Sequence, residues 1–299
     1  MRRTISPMKA LPIFFSPQMV ADSASYSPSA GKPLQVVASW KALGLPLEFH
    51  DPEPITLAEF ALAHDEKFVR AVLERREQNG FGNRSAEVAS SLPYTSGAMR
   101  SAARHAWRAG GVAVAPCSGF HHAGYAHVSG FCTFNGLMIT AAALHVEGAR
   151  RIGILDCDHH YGDGTDDIIS ELGAARWVRH FTAGKHYRGP SDAETFFKKL
   201  PEVLDSFSDC DVVLYQAGAD PHINDPLGGW LTTLQLRERD RMVFQSFAAQ
   251  KIPVAWNLAG GYQRELDGSI PKVLEIHDNT LRACAEVFLQ GAAASSPLG

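Results

Sequence analysis

Apolar residues fall into short runs separated by longer amphipathic stretches. The runs at residues 11–15, 112–115, 151–156, 177–181, 212–216 and 253–258 are bounded by Gly, Pro and polar turn residues. They are almost uniformly apolar, which predicts strands buried on both faces. Between them the apolar spacing becomes helical. It predicts helices over 34–43, 57–63, 65–76, 95–109, 135–148, 164–172, 193–207, 233–250 and 270–288. The helix over 65–76 places Phe68, Val69, Val72 and Leu73 on one face. Segment 78–91 is polar and contains Gly, and reads as a surface loop. Strands alternating with helices predict an α/β fold: a three-layer α/β/α domain around a mostly parallel central sheet. The expected extent is one domain over 9–290, with tails at 1–8 and 291–299. No repeat and no Gly-X-Gly-X-X-Gly fingerprint interrupts it.

Composition narrows the classes. The net charge is -4 and no basic block occurs, so no direct nucleic-acid binding is expected. No apolar run approaches the roughly 18 residues of a membrane span. The five cysteines are dispersed, with no Cys-X-X-Cys, which argues for reduced thiols and a cytoplasmic setting. Nothing in the sequence fixes the oligomeric state.

Open α/β sheets carry their sites beyond the carboxyl ends of the strands, and the polar clusters lie there. After the strand at 151–156 comes Asp156-Cys157-Asp158-His159-His160-Tyr161-Gly162-Asp163-Gly164-Thr165. In an extended backbone Asp156, Asp158 and His160 share one face and His159 takes the other. Asp158 and His160 offer an oxygen and a nitrogen to a divalent ion. After the strand at 112–115 comes Gly119-Phe120-His121-His122-Ala123, a pair suited to proton transfer near neutral pH. After 212–216 comes Ala217-Gly218-Ala219-Asp220-Pro221-His222, then Asp225-Pro226-Leu227-Gly228-Gly229. Asp220 would complete three ligands and leave positions open, the pattern of a catalytic zinc. After 253–258 comes Ala259-Gly260-Gly261-Tyr262, two glycines that admit close backbone approach and a phenol that could serve an oxyanion. Each cluster alone also reads as an ordinary turn; their joint placement argues for a site.

Together these motifs, with Ser129-Gly130-Phe131-Cys132, resemble the metal-dependent histone deacetylase family, which includes bacterial acetoin-utilization-type proteins and acetylpolyamine amidohydrolases. The resemblance runs from about Leu11 to Phe288 with the motifs in order. It implies one metal per chain, zinc or, in the cell, ferrous iron, held by Asp158, His160 and Asp220. It implies that His121 and His122 are the tandem histidines, backed by Asp156 and Asp163 respectively, and that Tyr262 polarises the substrate carbonyl. It further implies an acyl tunnel with Gly130 and Phe131 on one wall, Tyr187 opposite, Leu227 at the rim and Gly260 and Gly261 beside it. The implied activity is hydrolysis of an N-acyl amide, acyl-lysine foremost. A small-molecule deacylase acting on an acetylpolyamine, or a non-catalytic acyl-lysine binding module, are the alternatives.

Three features depart from the family pattern. The serine that completes its potassium site is replaced by Val178 or Arg179, so that site is not carried over. No rim carboxylate stands near residues 92–96, and Leu227 takes the place of a polyamine-selecting glutamate. His159 is expected to face away from the metal, and Cys132 and Cys157 to fill core space.

Overall fold

The structure, a computed structural model, describes residues 8–289. Among these, seven strands form one sheet: β1 (Leu11–Phe14), β2 (Leu47–His50), β3 (Val112–Ala115), β4 (Ile152–Asp156), β5 (Val178–Thr182), β6 (Val212–Gln216) and β7 (Val254–Asn257). Their spatial order is β2-β1-β3-β7-β6-β4-β5 and every pairing is parallel. The helices are α1 (Lys32–Ala42), α2 (Leu57–Phe60), α3 (Glu66–Leu73), α4 (Ala86–Ala109), α5 (Gly136–Val146), α6 (Asp163–Glu171), α7 (Ala193–Ser206), α8 (Thr233–Gln250) and α9 (Pro271–Phe288). The three-layer α/β/α architecture expected from the sequence is present.

Strand alternation divides the interior in two. Val213, Tyr215 and Trp256 face a core built from Trp40 of α1, Phe196 of α7, Phe244 of α8 and Leu281 of α9. Val212, Leu214 and Ala255 face a second core, with Val69 of α3, Ala102 of α4, Ile139 of α5 and Ile168 of α6. This double burial is why the strands read as continuous apolar runs.

Three sequence expectations change. Strand β2 was not expected. It pairs in parallel with β1 from Leu11↔Leu47 to Phe14↔His50 at the sheet edge. None of its residues is fully buried, so it carries no apolar period. The polar segment 78–91 is a loop only in its first half, because α4 starts at Ala86 and runs through Pro93. Val88 and Ser91 are buried, and the Pro93 carbonyl accepts the Ile55 N–H at 3.1 Å. Tertiary packing thus overrides a weak local pattern. Met8 is no tail: it bridges Leu289, and its N–H donates to the Phe288 carbonyl at 2.8 Å. The remaining expected tail, 1–7 and 291–299, lies outside the described residues. Among the described residues no helix is long and apolar enough to cross a membrane.

The Ser85 hydroxyl caps α4 by accepting the Val88 N–H at 3.4 Å. Ser85→Ala is expected to cost about 1 kcal/mol in chemical denaturation, with Ser85→Asp close to wild type. Equal stability of the Ala variant would mean that the cap carries no part of this helix start.

Candidate metal and proton-transfer site

Strands β3, β7, β6 and β4 are consecutive neighbours in the sheet, and each releases a polar segment from its carboxyl end. Asp156 is the last residue of β4. Beyond it the chain turns: the Asp158 N–H donates to Asp156 Oδ1 at 3.1 Å and the His160 N–H to Asp158 Oδ1 at 3.0 Å. Carboxylates bonding the amide two residues on are turn formers. Pleated alternation therefore stops at Asp156, and turns, not an extended strand, bring Asp158 and His160 together.

Asp158, His160 and Asp220 offer ligand atoms that all lie within 4.8 Å of one another. His160 Nδ1 is 3.0 Å from Asp220 Oδ2 and 3.3 Å from Asp158 Oδ1. Asp158 is 1% exposed and Asp220 0%. Burial and the adjacent Asp158 charge hold the Asp220 carboxyl well above the usual carboxylate range. Burial opposes charge on His160, yet the Asp158 and Asp220 carboxylates raise its pKa to about 11. The cluster calls for positive charge at its centre, and its two carboxylates and one imidazole suit a first-row divalent ion. The residues fit a metal. Gly260 closes the cluster from β7: its N–H donates to Asp158 Oδ2 at 2.8 Å, and a Cβ there would stand 2.4 Å from Asp220 Oδ2.

Two imidazole–carboxylate dyads flank the cluster. His121 Nδ1 lies 2.7 Å from Asp156 Oδ2, and His122 Nδ1 lies 2.6 Å from Asp163 Oδ1. The two imidazoles are 4.2 Å apart between centroids, and His122 is 5.8 Å from the His160 ring. Their environments differ. Burial alone would lower the His121 pKa, but Asp156, Asp158 and Asp220 outweigh it and raise it to about 9. His122 is lowered by burial and by the neighbouring His121, against Asp163. Gln216, at the end of β6, donates to Asp156 Oδ1 at 3.0 Å and fixes that carboxylate.

Tyr262 is buried, with its ring 5.7 Å from Phe131 and 6.3 Å from His160. Burial and the Asp158 and Asp220 charges hold its phenol well above the ordinary value, so it stays a donor. Asp225, which the sequence reading left without a role, accepts the Tyr262 N–H at 2.8 Å and the Leu227 N–H at 3.0 Å. Gly130 lies against the His122 ring, Gly261 joins Gly260 to Tyr262, and Leu227 is 37% exposed on the loop that Asp225 pins.

Other expectations are corrected. Tyr187 does not face Phe131: the turn after β5 sends its ring into the core, 5.2 Å from Phe196 and 5.4 Å from Trp230. His159, expected to face away from the metal, offers no ligand atom to the Asp158–His160–Asp220 cluster. Its ring stands edge-on to His160 at 5.0 Å, and a Cβ on Gly228 would meet its Nε2 at 2.5 Å. The β4–β5 register pairs Asp156 with Thr182, whereas Val178 lies opposite Ile152. A hydroxyl therefore does stand beside Asp156, and its Oγ1 accepts the Gly162 N–H at 3.0 Å. Residues 92–96 lie within α4; Phe81, whose ring is 6.1 Å from Phe131, comes from the loop before that helix. Lys32 gave no sequence signal, since it reads as an ordinary helix start. It is fully buried, and its Nζ donates to the Ala259 carbonyl at 2.6 Å. Burial lowers its pKa to about 8 against the pull of Asp220, Asp158 and Asp225.

A parallel α/β sheet bearing a three-ligand cluster between His–Asp dyads defines the class of this site. The histone deacetylase domain matches residues 29–186 and 183–276, and the chain belongs to that family. It is 30% identical over 200 residues to an uncharacterized protein of Picosynechococcus, covering 60% of this chain and 64% of the relative. It is 24% identical over 262 residues to acetoin utilization protein AcuC of Bacillus subtilis, covering 72% and 66%. Over 49 residues it is 48% identical to acetylpolyamine amidohydrolase 2 of Pseudomonas aeruginosa, covering 16% and 14%. The chain thus spans about 64% of the length of the Picosynechococcus relative it matches. Among solved structures, the HDA15 HD domain superposes with a TM-score of 0.75 at 20% identity, over 97% of this chain and 90% of that one. An acetylpolyamine aminohydrolase from Burkholderia pseudomallei gives 0.71 at 17% identity, over 93% and 99%. These structures share the fold.

His64 also escaped assignment. Its Nε2 accepts the Asn135 N–H at 2.8 Å and its Nδ1 donates to the Gly124 carbonyl at 2.9 Å, which fixes a neutral ring under the histidine loop. Burial pushes its pKa down from 6.5 to about 4. Between those values the unfolded chain takes up a proton that the folded chain refuses. This contribution is therefore full above pH 6.5 and is lost as pH falls toward 4. It amounts to about 3 kcal/mol. Denaturation across that range should show the stability gap between wild type and His64→Asn shrinking with acid. A gap independent of pH would contradict the buried neutral ring.

Proposed function

We propose that the chain hydrolyses N-acyl amides, acyl-lysine foremost, with zinc as the resident ion and ferrous iron as its alternative in the cell. The observation that carries this reading is the convergence of two His–Asp dyads on the Asp158–His160–Asp220 cluster, with His122 and His160 rings 5.8 Å apart. An ion held by those three side chains supplies Lewis acidity toward water and the acyl carbonyl oxygen. The chain's own groups move the protons. Asp163 takes the Nδ1 proton of His122 in a hydrogen bond and leaves Nε2 as a base. His122 accepts a proton from water as the water oxygen bonds to the acyl carbon. The Tyr262 phenol donates a hydrogen bond to the oxygen that gains charge. His121, which Asp156 keeps protonated, hands its proton to the amine nitrogen as the C–N bond breaks. The products are a carboxylic acid and a free amine. Opposite pKa directions in adjacent imidazoles support this division of acid and base.

Phe131, with Tyr262 behind it, forms an apolar wall that suits the methylene stem of a lysine. The match to acetylpolyamine amidohydrolases over 49 residues favours a second reading, in which the amine carrier is a small acetylated polyamine. Five unpaired buried thiols support a reducing, cytoplasmic setting.

Turnover of a fluorogenic acetyl-lysine peptide and of an acetylated polyamine, by zinc-loaded and chelator-treated protein, separates the readings. Activity is expected with metal and is expected to vanish with chelator. Absence of turnover on every acyl amine by zinc-loaded protein would sink the enzymatic reading. Tyr262→Phe is expected to bind as much zinc as wild type while kcat falls by about a hundredfold or more. Unchanged kcat would remove Tyr262 from the role given to it.

A further inference from the structure

Arg239 of α8 is fully buried, a costly place for a charge without partners. Its Nη1 donates to the Cys157 carbonyl at 3.1 Å and to the Gly218 carbonyl at 2.8 Å. Its Nε donates to Asp240 Oδ1 at 2.9 Å. Asp240 is held in turn by the Tyr215 hydroxyl of β6 and by Thr280 Oγ1 of α9 at 2.6 Å. The two carbonyls lie just past the last paired residues of β4 and β6, Asp156 and Gln216. Cys157 stands between Asp156 and Asp158, and Gly218 is two residues before Asp220. The Gly218 backbone also touches the cluster, since a Cβ there would meet Asp220 Oδ1 at 2.6 Å and the Asp158 Cα at 2.9 Å.

We infer that Arg239 is a positioning residue that sets the separation of Asp158 and Asp220 by holding Cys157 and Gly218 on one nitrogen, and so sets metal affinity. This rests on the reading of Asp158, His160 and Asp220 as metal ligands. One donor bridging two carbonyls ties the β4 and β6 extensions together, beside the Cys157 N–H to Gln216 carbonyl bond at 3.0 Å. The Nε of the planar guanidinium is turned to Asp240, which fixes its orientation, while Nη2 is buried without a hydrogen-bond partner among the described residues. A lysine ammonium can replace the charge but not this geometry.

The test measures zinc affinity by competition with a chromogenic chelator, alongside circular dichroism and thermal unfolding with and without zinc. In Arg239→Lys zinc affinity is expected to fall about tenfold or more, as for other residues that orient metal ligands. KM at saturating zinc should stay near wild type. Thr280→Val removes a distant bond to Asp240 and should lower thermal stability without an equal loss of zinc affinity. Asp240→Asn keeps the shape but weakens the hold on Nε, and should lose affinity in the same direction as Arg239→Lys. If Arg239→Lys folds and binds zinc like wild type, the inference is overturned. If it does not fold, Asp240→Asn with wild-type affinity overturns it. Wild-type protein that binds no zinc refutes the ligand reading, a result distinct from either.

Discussion

Two carboxylates, Asp158 and Asp220, stand out of water at the ends of β4 and β6, and much of the surrounding structure answers that constraint. Buried charge is tolerated only when hydrogen-bonded and paired. The chain supplies backbone donors first: Gly260 N–H to Asp158 Oδ2 at 2.8 Å and His159 N–H to Asp220 Oδ1 at 3.3 Å. It then supplies positive charge at a remove. Lys32 stands behind the Ala259 carbonyl, and its field reaches Asp158 and Asp220. His160 is in direct contact with both carboxylates. Among the described residues the charged partners in direct contact with the two acids are histidines, which suits the pair to a further cation.

The same negative charge divides the two histidines. His121, fully enclosed with Asp156 against one nitrogen and Asp158 Oδ1 at 3.6 Å from the other, is held protonated. His122 is shifted the other way, lowered by burial and by the His121 charge against the pull of Asp163. Chemically identical side chains on adjacent positions thus acquire opposite tendencies from placement alone.

Strand-end chemistry was legible because period and composition locate buried parallel strands, and polar residues immediately after them fall at one end of the sheet. Asp158, His160, Asp220, His121 and His122 were found that way, and the fold with them. The misses share a cause: their signal is tertiary. Edge strand β2 has no buried face to make a pattern. The first turns of α4 are polar, and their few apolar residues make too weak a period to mark a helix. Tyr187 is placed opposite Phe131 by the family resemblance alone, but the turn after β5 decides where its ring goes. Thr182 became visible only once the strand register was fixed. Lys32, His64 and Arg239 act across 227, 71 and 82 residues of chain, distances over which local pattern carries nothing.

Those long-range contacts also explain how a site assembled from loops stays rigid. From one face of the sheet, Lys32 at the start of α1 and Arg239 on α8 hold the backbone of Ala259, Cys157 and Gly218. From the other face, His64 holds the Asn135 N–H, and Asn135 Nδ2 donates to Thr165 Oγ1 at 3.0 Å. The Thr165 N–H donates to the His121 carbonyl at 3.0 Å. One face therefore fixes the backbone that carries Asp158 and Asp220, and the other fixes the backbone that carries His121. The two groups meet at Asp156, which ends β4, pairs with His121 and turns the chain toward Asp158, and again where His121 Nε2 stands 3.6 Å from Asp158 Oδ1. A carboxylate with both contacts ties the placement of the His121 ring to that of Asp158. The sheet between the two cores is then the frame that keeps both in register.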